Sequence, residues 1–222
     1  MIGVVIPACN EESLIGLCLD SIKQAALAPA LQSEEVKIVV VSDDCSDATT
    51  RIARARGVDV VHSRARNVGL ARSLGARRCL AAGARWLAFT DADTVVASDW
   101  LVAQLALGTD VVCGTVAVAA WGTYGSTMRE RYAAGYRDAD DHRHIHGANL
   151  GVSASAYRRA GGFARLATGE DVALVAALKG VGASIAWSAR PRVVTSARRD
   201  FRAPDGFGAT LLRVESETAV VE

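Results

Sequence analysis

Four short apolar blocks punctuate the first half of the chain, at residues 2–6, 36–41, 58–62 and 86–90. Blocks of this length predict short strands, buried for the first, second and fourth, and apolar residues at three- and four-residue spacing between them predict amphipathic helices. The first block stops at Pro7 and gives way to Leu14, Ile15, Leu17, Cys18 and Ile22 at helical spacing. The second runs into an acidic turn, Asp43, Asp44 and Asp47, followed by a helix over residues 48–56 that Gly57 closes. A third helix over residues 67–83 is rich in Ala and Arg, and its arginines from Arg72 to Arg85 are expected in water. The fourth block leads to a helix over residues 98–107. This alternation implies an α/β fold with a mainly parallel, doubly wound sheet and right-handed crossovers.

Beyond residue 110 the pattern loosens. A strand is expected over residues 110–120, a Gly-containing loop over 121–126, a helix over 128–136, and an exposed, mobile charged segment over 138–146. A helix over 155–160 stopped by Gly161 and Gly162, a last helix over 170–179, and closing strands over 183–188 and 192–195 complete the pattern. Residues 198–222 carry no strong periodicity and read as a tail. Without a repeat or a low-complexity linker, residues 1–197 read as one domain, with a first half over 1–110 and a second over 111–197.

Candidate chemistry gathers where strands end. Residues 87–95, LAFTDADTV, read as a buried strand running out into Asp91 and Asp93. Two carboxylates so close repel at neutral pH, and a hard divalent cation, Mg²⁺ or Mn²⁺, relieves that while leaving room for phosphate oxygens. The plainer reading makes both acids turn formers ahead of the next helix. Parallel strands bring their carboxyl ends together, so the acids at 11–12, 43–44 and 91–93 converge on one edge. No strand is followed by G-x-G-x-x-G or G-x-x-x-x-G-K-[ST], which disfavours a Rossmann dinucleotide site and a P-loop. An acidic crevice of this kind outlines a nucleotide-sugar site with a cation.

The 222 residues suit a single α/β domain, and a formal net charge of +1 with 22% charged residues gives no global field for nucleic acid or an acidic membrane. A peripheral membrane contact would need a local patch. Five scattered cysteines without a C-x-x-C pair argue against a disulfide framework and point to a reducing, cytoplasmic setting. The N-terminus lacks a basic region and reads as a first strand, not a signal peptide, and no apolar run approaches the ~20 residues of a membrane span. His142, His144 and His146 alternate and would share one face of a strand, where a transition metal could bind, although loop histidines flanked by Asp and Arg are more often solvated.

The ordered set VVIPACNEE at 4–12, IVVVSDDCSD at 38–47, N-x-G-x-A-R at 67–72, FTDAD at 89–93, HGANLG at 146–151 and GEDVAL at 169–174 resembles family 2 glycosyltransferases of the GT-A fold. The resemblance covers residues 2–195. It implies metal-dependent transfer of a sugar from a nucleoside diphosphate donor to an acceptor hydroxyl. Pro7, Ala8 and Glu11 would then sit beside the nucleoside, Asp44 would hydrogen-bond the base, and Arg72 would lie near the donor. Asp91 and Ala92 would stand near the ribose, with Asp91 and above all Asp93 on the metal. Gly147, Ala148, Asn149 and Glu170 would face sugar and acceptor, and Asp171 would be the base of an inverting reaction. The chain departs from the pattern twice: many relatives place a His soon after the last core strand, where this chain has Thr195, Ser196 and Ala197 before Arg198 and Arg199, and Cys45 stands where Gly is usual in the acidic turn. Two other readings stand beside this one, a nucleotidyltransferase on a similar sheet and a nucleotide-sugar binder without turnover. Glu170 and Asp171 also read as an ordinary helix start capped by Thr168.

Overall fold

The computed structural model describes residues 1–166, 168–199 and 207–219. The chain begins with β1 (Ile2–Ala8), α1 (Ile15–Ala26), β2 (Val36–Asp43), α2 (Thr49–Ala55), β3 (Asp59–Ser63), α3 (Val68–Ala81) and β4 (Trp86–Phe89), and so keeps the expected alternation. It continues with β5 (Val95–Val96), α4 (Trp100–Leu105), β6 (Val111–Gly114), β7 (Ala117–Val118) and α5 (Ser126–Gly135). It closes with β8 (Leu150–Ser153), α6 (Ala154–Arg159), α7 (Glu170–Gly180), β9 (Ile185–Ser188), β10 (Val193–Thr195) and α8 (Phe207–Ala219).

The main sheet has the order β3-β2-β1-β4-β8-β6-β9, and β5, β10 and β7 form a small second sheet. All neighbours in the main sheet are parallel except β8, which runs against both β4 and β6. Alternation along β1 sends Val4 and Ile6 into one core with Ile15, Leu19, Ile22 and Trp100, and Val5 into another with Val39, Val41, Leu174 and Leu178. Each such fully buried aliphatic side chain stabilises the fold by about 1.5–3 kcal/mol. The sheet is therefore a firm platform buried on both faces. Its register sets Ala8 opposite Ser42 and Val5 opposite Phe89, so the loops after β1, β2 and β4 leave the same edge.

Four expectations change. The strand expected over residues 110–120 is two strands in different sheets. At the break, side chains replace the ladder: Asn149 Nδ2 donates to the Thr115 carbonyl at 2.7 Å, and the Val116 amide donates to Tyr136 Oη at 2.8 Å. The bend also needs Gly114, where a Cβ would overlap the Asn149 side chain. The charged segment over 138–146 is pinned rather than loose. Asp140 accepts from Ser188 Oγ at 2.7 Å and the Ala189 amide at 2.9 Å, Asp138 accepts from Thr115 Oγ1 at 2.6 Å, and His142 is buried.

Within the expected tail, α8 packs on α5, with Leu211 buried beside Tyr124, Met128 and Ala197. The remainder of that tail, residues 200–206 and 220–222, lies outside the described residues. Finally, the arginines of α3 are not all in water: Arg77 and Arg78 are exposed, but Arg72 is buried. Among the described residues, no helix is long and apolar enough to cross a membrane.

Candidate active site

Loops after β1, β2 and β4, the start of α3, the residues before β8 and the start of α7 enclose a cleft of about 1130 Å³, closed on one side by α5 and α8. Pro7, Ala8, Glu11, Arg72, Asp91, Ala92 and Asp93 line it together with Gly147, Ala148, Glu170 and Asp171. Asp43, counted in the converging acids but given no role of its own, is a buried cleft residue whose two oxygens accept from the Ala65 and Asn67 amides, both at 2.8 Å. Those bonds set the loop that starts α3, where Asn67 Oδ1 caps the helix by accepting from the Leu70 amide at 2.8 Å.

Arg72 is the hub of the cleft floor. It is 4% exposed, and its guanidinium reaches Asp91 at 2.6 Å and pairs with Glu170, itself 6% exposed. Burial raises the Glu170 pKa, and the neighbouring Arg72 opposes that rise. Gly147 lies against the same guanidinium, so close that a Cβ there would overlap it. Its amide donates to Asp171 Oδ2 at 2.8 Å, while Asp171 Oδ1 accepts from the Val172 amide at 2.8 Å. The HGAN and GED motifs thus meet across Arg72. The residue before α7 is Gly169 in a left-handed conformation, and no side chain caps the helix, so Thr168 does not take the capping role.

Asp93 sits deeper. Burial, then the Asp91 charge, pushes its pKa up to about 6, against the pull of Arg198. Arg198 makes two 2.5 Å bonds to the Glu11 carboxylate and approaches Asp93 at 3.4 Å. Among the described residues no three His, Cys, Asp or Glu side chains form a metal-holding group. Asp91 and Asp93 nonetheless suit a hard cation, since a buried carboxylate pressed against a second one would be relieved by divalent charge. The histidines do not form a metal site. Their rings stack at 5.4 and 5.8 Å, His144 Nε2 accepts from the Arg137 amide, and His142 Nδ1 accepts from the His144 amide.

Those histidines instead build an aromatic wall. Tyr136 stacks on His144 at 4.2 Å and on Tyr132 at 5.3 Å. Tyr136 Oη accepts from the Val116 amide and is hydrogen-bonded to His146 Nε2 at 3.0 Å. Burial, then His144, holds the His146 pKa down to about 4.

Two expected residues stand off the cleft wall. Asp44 takes a left-handed backbone (φ +55°), lines a smaller neighbouring pocket and pairs with the cleft residue Arg66 at 2.6 Å. Since Asp44 supplies the positive φ, the turn tolerates Cys45, whose thiol donates to the Ala8 carbonyl at 3.2 Å. Asn149 is fully buried behind the wall, where it accepts from Trp100 Nε1 at 2.9 Å and donates to the Thr115 and Pro191 carbonyls. Every side-chain group of Asn149 is thereby used in holding β6, β8 and α4 together.

Two solved structures share the architecture. The TarS protein of S. aureus, residues 1–349 in complex with UDP-GlcNAc, superposes with a TM-score of 0.68 at 17% identity over 99% of this chain and 65% of that one. The mannosyltransferase PcManGT from Pyrobaculum calidifontis, in complex with GDP-Man and Mn²⁺, superposes with a TM-score of 0.69 at 18% identity over 100% of this chain and 64% of that one. At such identities the likeness shows the fold, GT-A, and the chain spans a little under two thirds of either relative's length. No curated protein sequence matches the chain. The sequence model for Glycosyl transferase family 2 matches residues 3–161, a span that runs from β1 through the acidic turns and the HGAN segment to the end of α6. The chain therefore belongs to glycosyl transferase family 2.

Proposed function

We propose that this chain transfers a sugar from a nucleoside diphosphate sugar to an acceptor hydroxyl, with a divalent cation and with inversion at the sugar carbon. The observation that carries the reading is the seating of Asp171: a carboxylate on the cleft wall, fixed by the Gly147 amide and facing the acidic strand ends across Arg72. The relatives' complexes, with UDP-GlcNAc in one case and GDP-Man with Mn²⁺ in the other, support the ligand class.

In this reading Pro7, Ala8, Glu11 and Asp43 flank the nucleoside, with Asp44 reached across Arg66, and Asp91, Ala92 and Asp93 stand at the ribose and diphosphate. A bound Mg²⁺ or Mn²⁺, held by Asp93 and Asp91, would offset charge on the departing diphosphate. Arg72 holds the Asp91 and Glu170 carboxylates in place. Gly147, Ala148 and Glu170 shape the sugar side, and the aromatic wall of Tyr132, Tyr136 and His144 faces the acceptor. Asp171 takes the proton from the attacking hydroxyl as the new C–O bond forms and the C–O bond to the diphosphate breaks.

A thermal-shift panel of nucleoside diphosphates and their sugars, with and without Mn²⁺, identifies the donor, because ligand binding to the native state raises the melting temperature. Asp171→Asn then tests the base. Asn still accepts from the Gly147 amide but takes no proton at neutral pH. Fold and donor affinity are expected to persist while turnover falls roughly 10² or more. Transfer at close to the parent rate would refute the role.

A further inference from the structure

We propose that Arg198 is a resident counter-cation of the acidic cluster, neutralising Glu11 and Asp93 until a divalent cation arrives with the nucleoside diphosphate and takes its place at Asp93. The inference rests on the metal-dependent reading above and concerns how this chain sets its own metal affinity.

Glu11, Asp91 and Asp93 crowd the ends of β1 and β4, and two guanidinium groups divide them. Arg72 pairs with Asp91, which leaves Glu11 and Asp93 to Arg198. Glu11 is buried, and the bond from its amide to Thr49 Oγ1 at 2.7 Å fixes its backbone. Asp93 also cannot swing away, since Thr195 Oγ1 lies 3.4 Å from one oxygen and Arg198 lies 3.4 Å from the other. A guanidinium at that second oxygen and a divalent ion bound to the same carboxylate would repel strongly at such range, so the two are alternatives. Arg198 is the most exposed of the three, at 26% against 6% for Glu11 and 15% for Asp93, and so is the side chain whose displacement into solvent exposes the least buried surface.

Its neighbours make the movement consequential. Ala197 is buried against Tyr124, Met128 and Leu211, and Arg199 donates to Thr123 Oγ1 at 2.9 Å and pairs with Glu215 on α8. Release of Arg198 would thus be felt by the helix that closes the acceptor side. The nucleotide-free chain accordingly binds the cation weakly, and metal and nucleoside diphosphate enter together.

Calorimetric titration of Mn²⁺ into the nucleotide-free chain tests this. The parent should bind weakly, and Arg198→Ala should bind roughly tenfold or more tightly, because one positive charge has left the site. Arg198→Lys, which keeps the charge but not the two-pronged contact, should stay near the parent. If Arg198→Ala does not fold by circular dichroism, Arg198→Gln carries the same expected gain. A folded, uncharged variant whose Mn²⁺ affinity equals the parent's overturns the proposal. A second arm adds UDP or GDP: Mn²⁺ binding by the parent there, with no gain in the nucleotide-free variant, removes the role of Arg198 alone. No Mn²⁺ binding by any form, with or without nucleotide, removes the metal-dependent reading and this proposal with it.

Discussion

Replacing Arg72 with Met keeps the apolar stem and deletes the charge, and the cost follows from what remains. Glu170, 6% exposed, would lose its guanidinium partner while Asp91 and Asp171 stay nearby. Breaking a buried ion pair from one side costs about 3–5 kcal/mol, because an uncompensated charge is left behind. Glu170 can reduce that cost by taking a proton. Burial already raises its pKa, with Arg72 opposing, so the variant's Glu170 would titrate still further above its unfolded value. A carboxyl whose folded pKa is raised destabilises the fold above the unfolded pKa, and the penalty fades as pH falls toward about 4. Urea unfolding should therefore show a larger loss at pH 8 than at pH 5. Adding Glu170→Gln should return a large part of it, with a coupling energy of about 2 kcal/mol or more at pH 8. A loss under about 1 kcal/mol at pH 8, or an equal loss at both pH values without rescue by Gln, would show that Arg72 and Glu170 are not the buried pair described.

Gly147→Ala should cost about 1–3 kcal/mol in thermal or urea unfolding, since the added methyl meets a guanidinium pinned by two carboxylates and cannot push it aside. The same change should lower turnover more than donor affinity, because it disturbs the Gly147 amide that seats Asp171. His146, held down to about 4 from an ordinary 6.5, is neutral in the fold, so the unfolded chain binds the extra proton between those values and stability falls as pH drops through that window. Between pH 6.5 and 5 this amounts to about 2 kcal/mol, measured as the difference in pH dependence between the parent and His146→Gln; parallel curves would refute it.

β1, β2 and β4 were legible because each is an apolar block buried on both faces, and the half-buried edge strand β3 followed from its run of valines; the acids at the strand ends followed from parallel geometry. The break between β6 and β7 was not, since it depends on Asn149 and Tyr136, distant in sequence, taking over backbone hydrogen bonds. The helix α8 was legible in principle: Phe207, Leu211 and Val214 follow i, i+4, i+7, and the partner face on α5 is what makes that stripe matter. Arg72 carries the same lesson. Among the arginines of α3 its spacing sets it with Gly69, Ala76 and Cys79, the buried small residues at i−3, i+4 and i+7, whereas Arg77 and Arg78 fall on the exposed side. A charged residue inside a small-residue stripe has to find opposite charge on the facing element, and Asp91 and Glu170 are the acids within reach. Arg198 offers no such periodic signal, because it follows a three-residue strand in an irregular segment. What marks it is electrostatic: of the acids on this sheet edge Asp43 is served by backbone amides and Asp91 by Arg72, which leaves Glu11 and Asp93 to a cation from another element, and Arg198, after the last strand, reaches them.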